Sequence, residues 1–187
     1  MIYLARHGET DDNARGVVQG WIDTPLNQRG RDQARMLADR VKGLGIVAIW
    51  TSQLARALGT AEIVGAAIGV EPRVDERFAE SRRGSWEGRA LAEIEASEPR
   101  TWAAWKRGGA RFRFPSGGES LAEHQKRVIE ALEEVRSGPL PALVISHGGS
   151  IRCALSAHEV RGLERFWSIR VPNATLLELP TERSPAP

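Results

Sequence analysis

Two apolar runs most narrow the architecture open to this chain. Residues 2–5 (IYLA) and 142–145 (ALVI) are hydrophobic at consecutive positions, and each ends in a polar trio, Arg6-His7-Gly8 in the first and Ser146-His147-Gly148 in the second. A strand that is apolar on both sides of its pleat has to be buried on both faces. Sheets covered on both faces are built from strands alternating with helices.

The rest of the chain supplies that alternation. Residues 2–6 read as a strand. Residues 27–43 read as a helix with Ala34, Leu37, Ala38 and Val41 on one face, stopped by Gly43 and Gly45. A second strand is expected at 46–50. Ser52 is expected to cap a helix to about Ile68 with Ala57, Ala61, Val64 and Ile68 as its stripe. Residues 70–74 give a third strand. A helix at 119–136 carries Leu121, Val128, Leu132 and Val135, and Gly138, Pro139 and Pro141 break it. Then come a strand at 142–146, a helix from Gly149 to about Val160, and a last strand at 174–179. Between them, 77–118 is irregular, with three of the six tryptophans and short helices near 89–96 and 99–107. The expectation is an α/β fold, a three-layer α/β/α sandwich with a mostly parallel central sheet. It is one domain over 1–180, with 77–118 as a lid or insertion and 181–187 as a disordered tail.

Composition restricts the function classes. The 26 Lys and Arg against 24 Asp and Glu give a net charge of +2, too balanced for the clustered basic stripe of a nucleic-acid binder. The longest apolar runs are too short to span a bilayer, and the N-terminus lacks a signal-peptide pattern, so no membrane partner is expected. One cysteine, Cys153, rules out an internal disulfide and points to the cytoplasm. It reads as a small core residue. A homodimer is compatible with all of this.

In sheets of this kind ligands bind beyond the carboxyl ends of the strands. Two strands there deliver a histidine followed by glycine, and parallel neighbours would bring His7 and His147 together. Arg6 adds a planar cation suited to phosphate. Arg56, one turn into the helix after the second strand, can reach the same rim. Gly148-Gly149 opens a helix whose N-terminus favours an anion. His124 and His158 lie within helical patterns and read as structural. A metal centre would need further ligands at suitable spacing. The chain has no HxH or HExxH, and Asp11-Asp12 alone is weak, so no metal and no cofactor is expected.

Six segments in order, RHGETDDN, VQGWIDTPLNQRGRDQA, TSQLARALGTAEIV, ERFAESRRGSWEG, FPSGGESLAEHQKRV and ISHGGSIRCAL, resemble the histidine phosphatase superfamily. Within it they resemble the branch of cofactor-dependent phosphoglycerate mutases and their small phosphatase relatives. The resemblance implies a phosphoglycerate mutase-like fold and a metal-free phosphomonoesterase acting on a small phosphorylated metabolite. It implies that His7 is the nucleophile that carries a phosphohistidine, that Arg6, Arg56 and His147 hold the phosphoryl oxygens, and that Glu80 protonates the leaving alcohol. Glu76 and Glu87 are the competing acids in the same window. Asn13, Gln19, Gly20 and Gly148 fall at the phosphate and substrate rim. The sequence departs from the family at Asp12, where an aromatic is usual, and at Arg82-Arg83. These two arginines are either solvated or meet a second anionic group of the substrate. Trp86, Trp102 and Trp105 either pack onto the core or form a lid. A phosphoglycerate mutase is the rival function, although the stretch after the acid is shorter than in true mutases. A non-catalytic phosphate-binding module is the third.

Overall fold

The computed structural model describes residues 1–180, so the expected tail at 181–187 lies outside the described residues. The strands are β1 (Ile2–Arg6), β2 (Ala48–Thr51), β3 (Pro72–Val74), β4 (Ala142–Ser146) and β5 (Leu176–Glu178). They form one sheet in the order β3-β2-β4-β1-β5. β3, β2, β4 and β1 run parallel to one another, and β5 lies antiparallel along β1.

The helices are α1 (Asp11–Arg15), α2 (Gln28–Val41), α3 (Ala55–Ile68), α4 (Leu91–Ser97), α5 (Pro99–Arg107), α6 (Leu121–Ser137) and α7 (Gly148–Ser156). On one face of the sheet Leu37, Ala38 and Val41 of α2 and Ala61 and Val64 of α3 meet Ala5, Ile49, Leu143 and Ile145. On the other, Val128, Leu132 and Val135 of α6 and Ile151 and Ala154 of α7 meet Ile2, Leu4, Ala142 and Val144. Successive residues of β1 and β4 thus enter opposite cores, which is why residues 2–5 and 142–145 are apolar without a break.

The differences from the expected elements have local causes. Short α1 has no apolar stripe and escapes periodicity. Thr10 and Asn13 hold it through a reciprocal capping box. Ser120 and Glu123 make the same device, which moves the start of α6 to Leu121. β5 is shorter than 174–179 because Ala174 takes a left-handed φ of 52° and turns its N–H to the carbonyls of Arg6 and His7. α7 stops at Ser156 rather than Val160, and a 3-10 turn follows at Gly162–Ser168. The irregular region has a core of its own. Trp86, Ile94, Trp105, Phe112 and Phe114 pack with Leu121 of α6, Cys153 of α7 and Leu163 and Phe166 of the 3-10 turn. No helix of the described residues is long and apolar enough to cross a membrane.

Candidate active site

β1 and β4 are adjacent, parallel and in register, with Arg6 opposite Ser146. His7 and His147 therefore leave the sheet side by side. The His7 N–H donates to the Ser146 carbonyl at 2.9 Å, and the two ring centroids lie 5.1 Å apart. They leave next to the point where the chain passes from β1 to β2 across the position of β4, the usual place for a ligand crevice. A cavity of about 170 Å³ lies there, and Arg6, His7, Arg56 and Glu80 are among the residues that line it.

The His7 Nδ1 is 2.6 Å from the carbonyl oxygen of Gly8. A carbonyl can only accept, so Nδ1 carries the proton and Nε2 keeps the lone pair. His7 is held well below the ordinary histidine pKa, first by burial and then by Arg6 and Arg56. The Gly8 carbonyl and Glu80 oppose the shift without reversing it. The ring is neutral, with Nε2 unprotonated.

Three buried nitrogens near it have no hydrogen-bond partner among the described residues: Arg6 Nε, Arg56 Nε and His147 Nδ1. Other atoms of the same side chains are well held. Arg6 Nη1 donates to the Val171 carbonyl at 2.8 Å. Arg56 donates to the carbonyls of Gly20 at 2.7 Å and Ile22 at 2.8 Å. His147 Nε2 lies 2.9 Å from Ser52 Oγ, which already accepts from the Leu54 N–H. The other ring nitrogen, Nδ1, is the one left without a partner. Burial, ahead of all other causes, pushes both arginines down to about 10, so they stay charged. Buried polar nitrogens left unpaired are costly, and with two of the three on charged arginines they make a site that favours an anion with several oxygens.

Glu80 is buried beside this group. Its Oε2 accepts from the Gly149 N–H at 3.0 Å, its Oε1 accepts from the Ser81 N–H at 2.9 Å, and Arg83 Nη2 lies 3.2 Å away. Burial alone would raise its pKa, but Arg83, His124, His147 and the Gly149 N–H together hold it well below the ordinary carboxylate value. The first turn of α7 was expected to meet the ligand, yet the Gly149 N–H is taken by Glu80. The approach is close: a methyl added at Gly149 would lie 2.0 Å from Glu80 Oε1. Arg127 fixes the backbone here by donating to the carbonyls of Arg77, Ala79 and Glu80. Of the competing acids, Glu76 is exposed and Glu87 accepts from the Arg83 N–H at 2.7 Å.

Asn13, Gln19, Gly20 and Gly148 also line the cavity. Asn13 Oδ1 is occupied by the Thr10 N–H and by Asn173 Nδ2, which leaves its amide nitrogen to donate. Gln19 Oε1 accepts from the Thr10 hydroxyl.

The paired reading of Arg82 and Arg83 needs correction. Arg82 is exposed and lies over the Trp21 ring at 3.6 Å, away from the cavity. Arg83 turns inward to Glu80 and the face of Phe114, and lines it. Asp12 is spoken for as well: it accepts from Arg15 and the Thr24 hydroxyl, joining α1 to the next loop, and does not line the cavity. Trp86 is core, whereas Trp105 is both core and cavity wall.

Several residues were missed. Ser52 holds His147 instead of capping α3 through its own position, since Leu54 stands at the cap. Asn173 ties the His7 and Gly8 carbonyls to Asn13. Arg152 and Trp167 line the cavity. Arg152 could have been found by the spacing that flags Arg56, since it lies one turn into the helix that follows a site strand. Trp167 and Asn173 carry no such signal. Among the described residues, no group of three or more His, Cys, Asp or Glu could hold a metal ion.

Comparison with known proteins gives a consistent result. The family model for the histidine phosphatase superfamily (branch 1) matches residues 2–185. A probable phosphoglycerate mutase of Serratia proteamaculans is 36% identical over 190 residues, covering 99% of this chain and 86% of that protein. A mycobacterial glucosyl-3-phosphoglycerate phosphatase, solved with VO3, is 31% identical with a TM-score of 0.85, covering 94% of this chain and 88% of that one. A mutant phosphoserine phosphatase of Entamoeba histolytica, solved with phosphoserine, is 26% identical with a TM-score of 0.82, covering 94% and 87%.

Proposed function

The chain belongs to the histidine phosphatase superfamily (branch 1), and on that premise we propose that it is a metal-independent phosphomonoesterase that hydrolyses a small phosphorylated metabolite through a phosphohistidine on His7. The observation that carries this reading is the trio of buried, unpartnered nitrogens, Arg6 Nε, Arg56 Nε and His147 Nδ1, beside an imidazole whose free lone pair is on Nε2. Phosphoryl transfer spreads negative charge over three equatorial oxygens, and donors fixed in advance are the main way a protein stabilises it.

In the first step His7 Nε2 attacks phosphorus. The N–P bond forms, the ester P–O bond breaks, and Glu80 gives its proton to the departing oxygen. In the second step Glu80 takes a proton from water as the water oxygen attacks phosphorus. The N–P bond breaks, Glu80 returns that proton to the departing phosphate, and the resting carboxylate is restored. At rest Glu80 is ionised, so a substrate entering as the monoanion brings the proton that Glu80 then delivers. The phosphoryl charge facing Arg6 and Arg56 favours that protonated form. Cys153, fully buried with its thiol pushed up chiefly by burial, takes no part, which fits a cytoplasmic enzyme.

The name of the Serratia relative supports a second reading, a phosphoglycerate mutase. The test is phosphate release from a panel of phosphate esters in the presence of a chelator, for wild type and His7→Ala, with the products of 3-phosphoglycerate identified. Free phosphate that requires His7 and survives the chelator is expected. Conversion to 2-phosphoglycerate without phosphate release would replace this reading by the mutase, and loss of activity with the chelator would overturn the metal-free mechanism.

A further inference from the structure

We propose that Arg152 forms a subsite for a second anionic group of the substrate, beside the phosphoryl site and against Trp167. The location of the phosphoryl group rests on the reading above. The rest stands on how the cavity divides its charges.

Four guanidinium groups line the cavity, those of Arg6, Arg56, Arg83 and Arg152, against one carboxylate, Glu80. Arg83 is paired with Glu80 at 3.2 Å. Arg6 and Arg56 match a phosphoryl dianion. Arg152 is left over, with no carboxylate within ion-pair distance among the described residues. Its one hydrogen bond to the protein runs from Nε to the Ile169 carbonyl at 3.0 Å, so both terminal nitrogens remain available.

Those nitrogens point the right way. A methyl placed on Gly148 would lie 3.3 Å from Arg152 Nη1 and 3.5 Å from Arg6 Nε, so the two guanidinium groups flank one backbone position. Arg152 is also held rigidly, its guanidinium 5.1 Å from the Trp167 ring and 5.6 Å from that of Phe166. Trp167 in turn is fixed by a 2.6 Å hydrogen bond to the Trp105 carbonyl. A planar, half-buried guanidinium beside two aromatic rings, with both terminal nitrogens free, is suited to meet a carboxylate or second phosphate.

The plainer role, pinning the 162–171 segment through Ile169, predicts an effect that is the same for every substrate. The test therefore uses a matched pair, 3-phosphoglycerate and glycerol 3-phosphate, which differ by a carboxylate in place of a hydroxymethyl group. The kcat/KM ratio for the pair is measured in wild type, Arg152→Gln and Arg152→Lys. Wild type should favour the carboxylate. Arg152→Gln should lose on the order of 10- to 100-fold of that preference, the scale of one charge-assisted contact, mainly through KM. Arg152→Lys, with the charge but without the fork, should fall between. An unchanged ratio, or an equal loss on both esters, overturns the subsite. If Arg152→Gln does not fold, the same outcomes are read from Arg152→Lys. If wild type turns over neither ester, the affinities of the same pair by calorimetry decide the subsite, and equal binding of the two or binding of neither overturns it, while the phosphatase reading is decided by the panel of esters.

Discussion

Mild acid should unfold this protein. His7, His124 and His147 are all buried and held below the ordinary histidine value, in each case chiefly by burial. For His124 the result is about 3, with Arg127 adding to burial and Glu80 opposing it. In the unfolded chain each ring regains a pKa of about 6.5. Below that pH the unfolded state binds a proton that the folded state refuses. The stability these groups carry is thus complete above the unfolded value and falls as the pH drops toward the folded one. One such group costs about 1.4 kcal/mol per pH unit, so His124 alone accounts for about 5 kcal/mol over its full range. His7 and His147 add to this loss in the same direction. That rivals the whole stability of a typical domain, about 5–15 kcal/mol. Below about pH 4.5 Glu80 acts in the same direction, because a depressed carboxylate loses its contribution as the pH falls. Urea unfolding followed by circular dichroism at a series of pH values measures the slope. His124→Gln, which keeps a donor for Ser150, should lower that slope. Stability that stays flat from about pH 6.5 to pH 5, or a variant with the wild-type slope, would refute the assignment of neutral buried histidines.

Three further outcomes can be checked. Glu80→Gln should slow alkyl phosphates by roughly 100- to 10,000-fold, the range of general acid–base catalysis, and nitrophenyl phosphate far less. Steady-state kinetics on both decides, and equal losses would remove Glu80 from the proton-donor role. Arg83→Gln takes away the cation nearest Glu80, so its carboxyl pKa rises and whichever limb of the pH–rate profile Glu80 governs should move to higher pH. A profile that stays in place would dissociate that limb from Glu80. Gly149→Ala puts a methyl 2.0 Å from Glu80 Oε1. It should lower stability by about 1–3 kcal/mol and displace the carboxylate, which thermal melts and turnover of poor leaving groups would record together.

What the sequence determined by itself was the frame and the half of the site built on that frame. Strand segments apolar without a break must be buried on both faces, and that requirement yields helices on either side of a mostly parallel sheet. His7 and His147 were legible because they follow strand ends, where chain direction and register leave little freedom. Arg56 was legible from its place shortly after the second strand, and Arg152 could have been reached by the same step. The placing of Glu80 on the cavity wall, with Glu76 exposed and Glu87 turned to the Arg83 N–H, and the opposite fates of Arg82 and Arg83, were decided only in the tertiary structure. These residues sit in a stretch with no repeating pattern, so nothing local says which way a side chain points. Direction there is imposed from far along the chain, by Arg127 gripping the carbonyls of Arg77, Ala79 and Glu80 and by the Gly149 N–H receiving the carboxylate. The unpartnered nitrogens of Arg6, Arg56 and His147 belong to the same class. That a buried nitrogen lacks a partner depends on every neighbour at once, and only the folded chain brings those neighbours together.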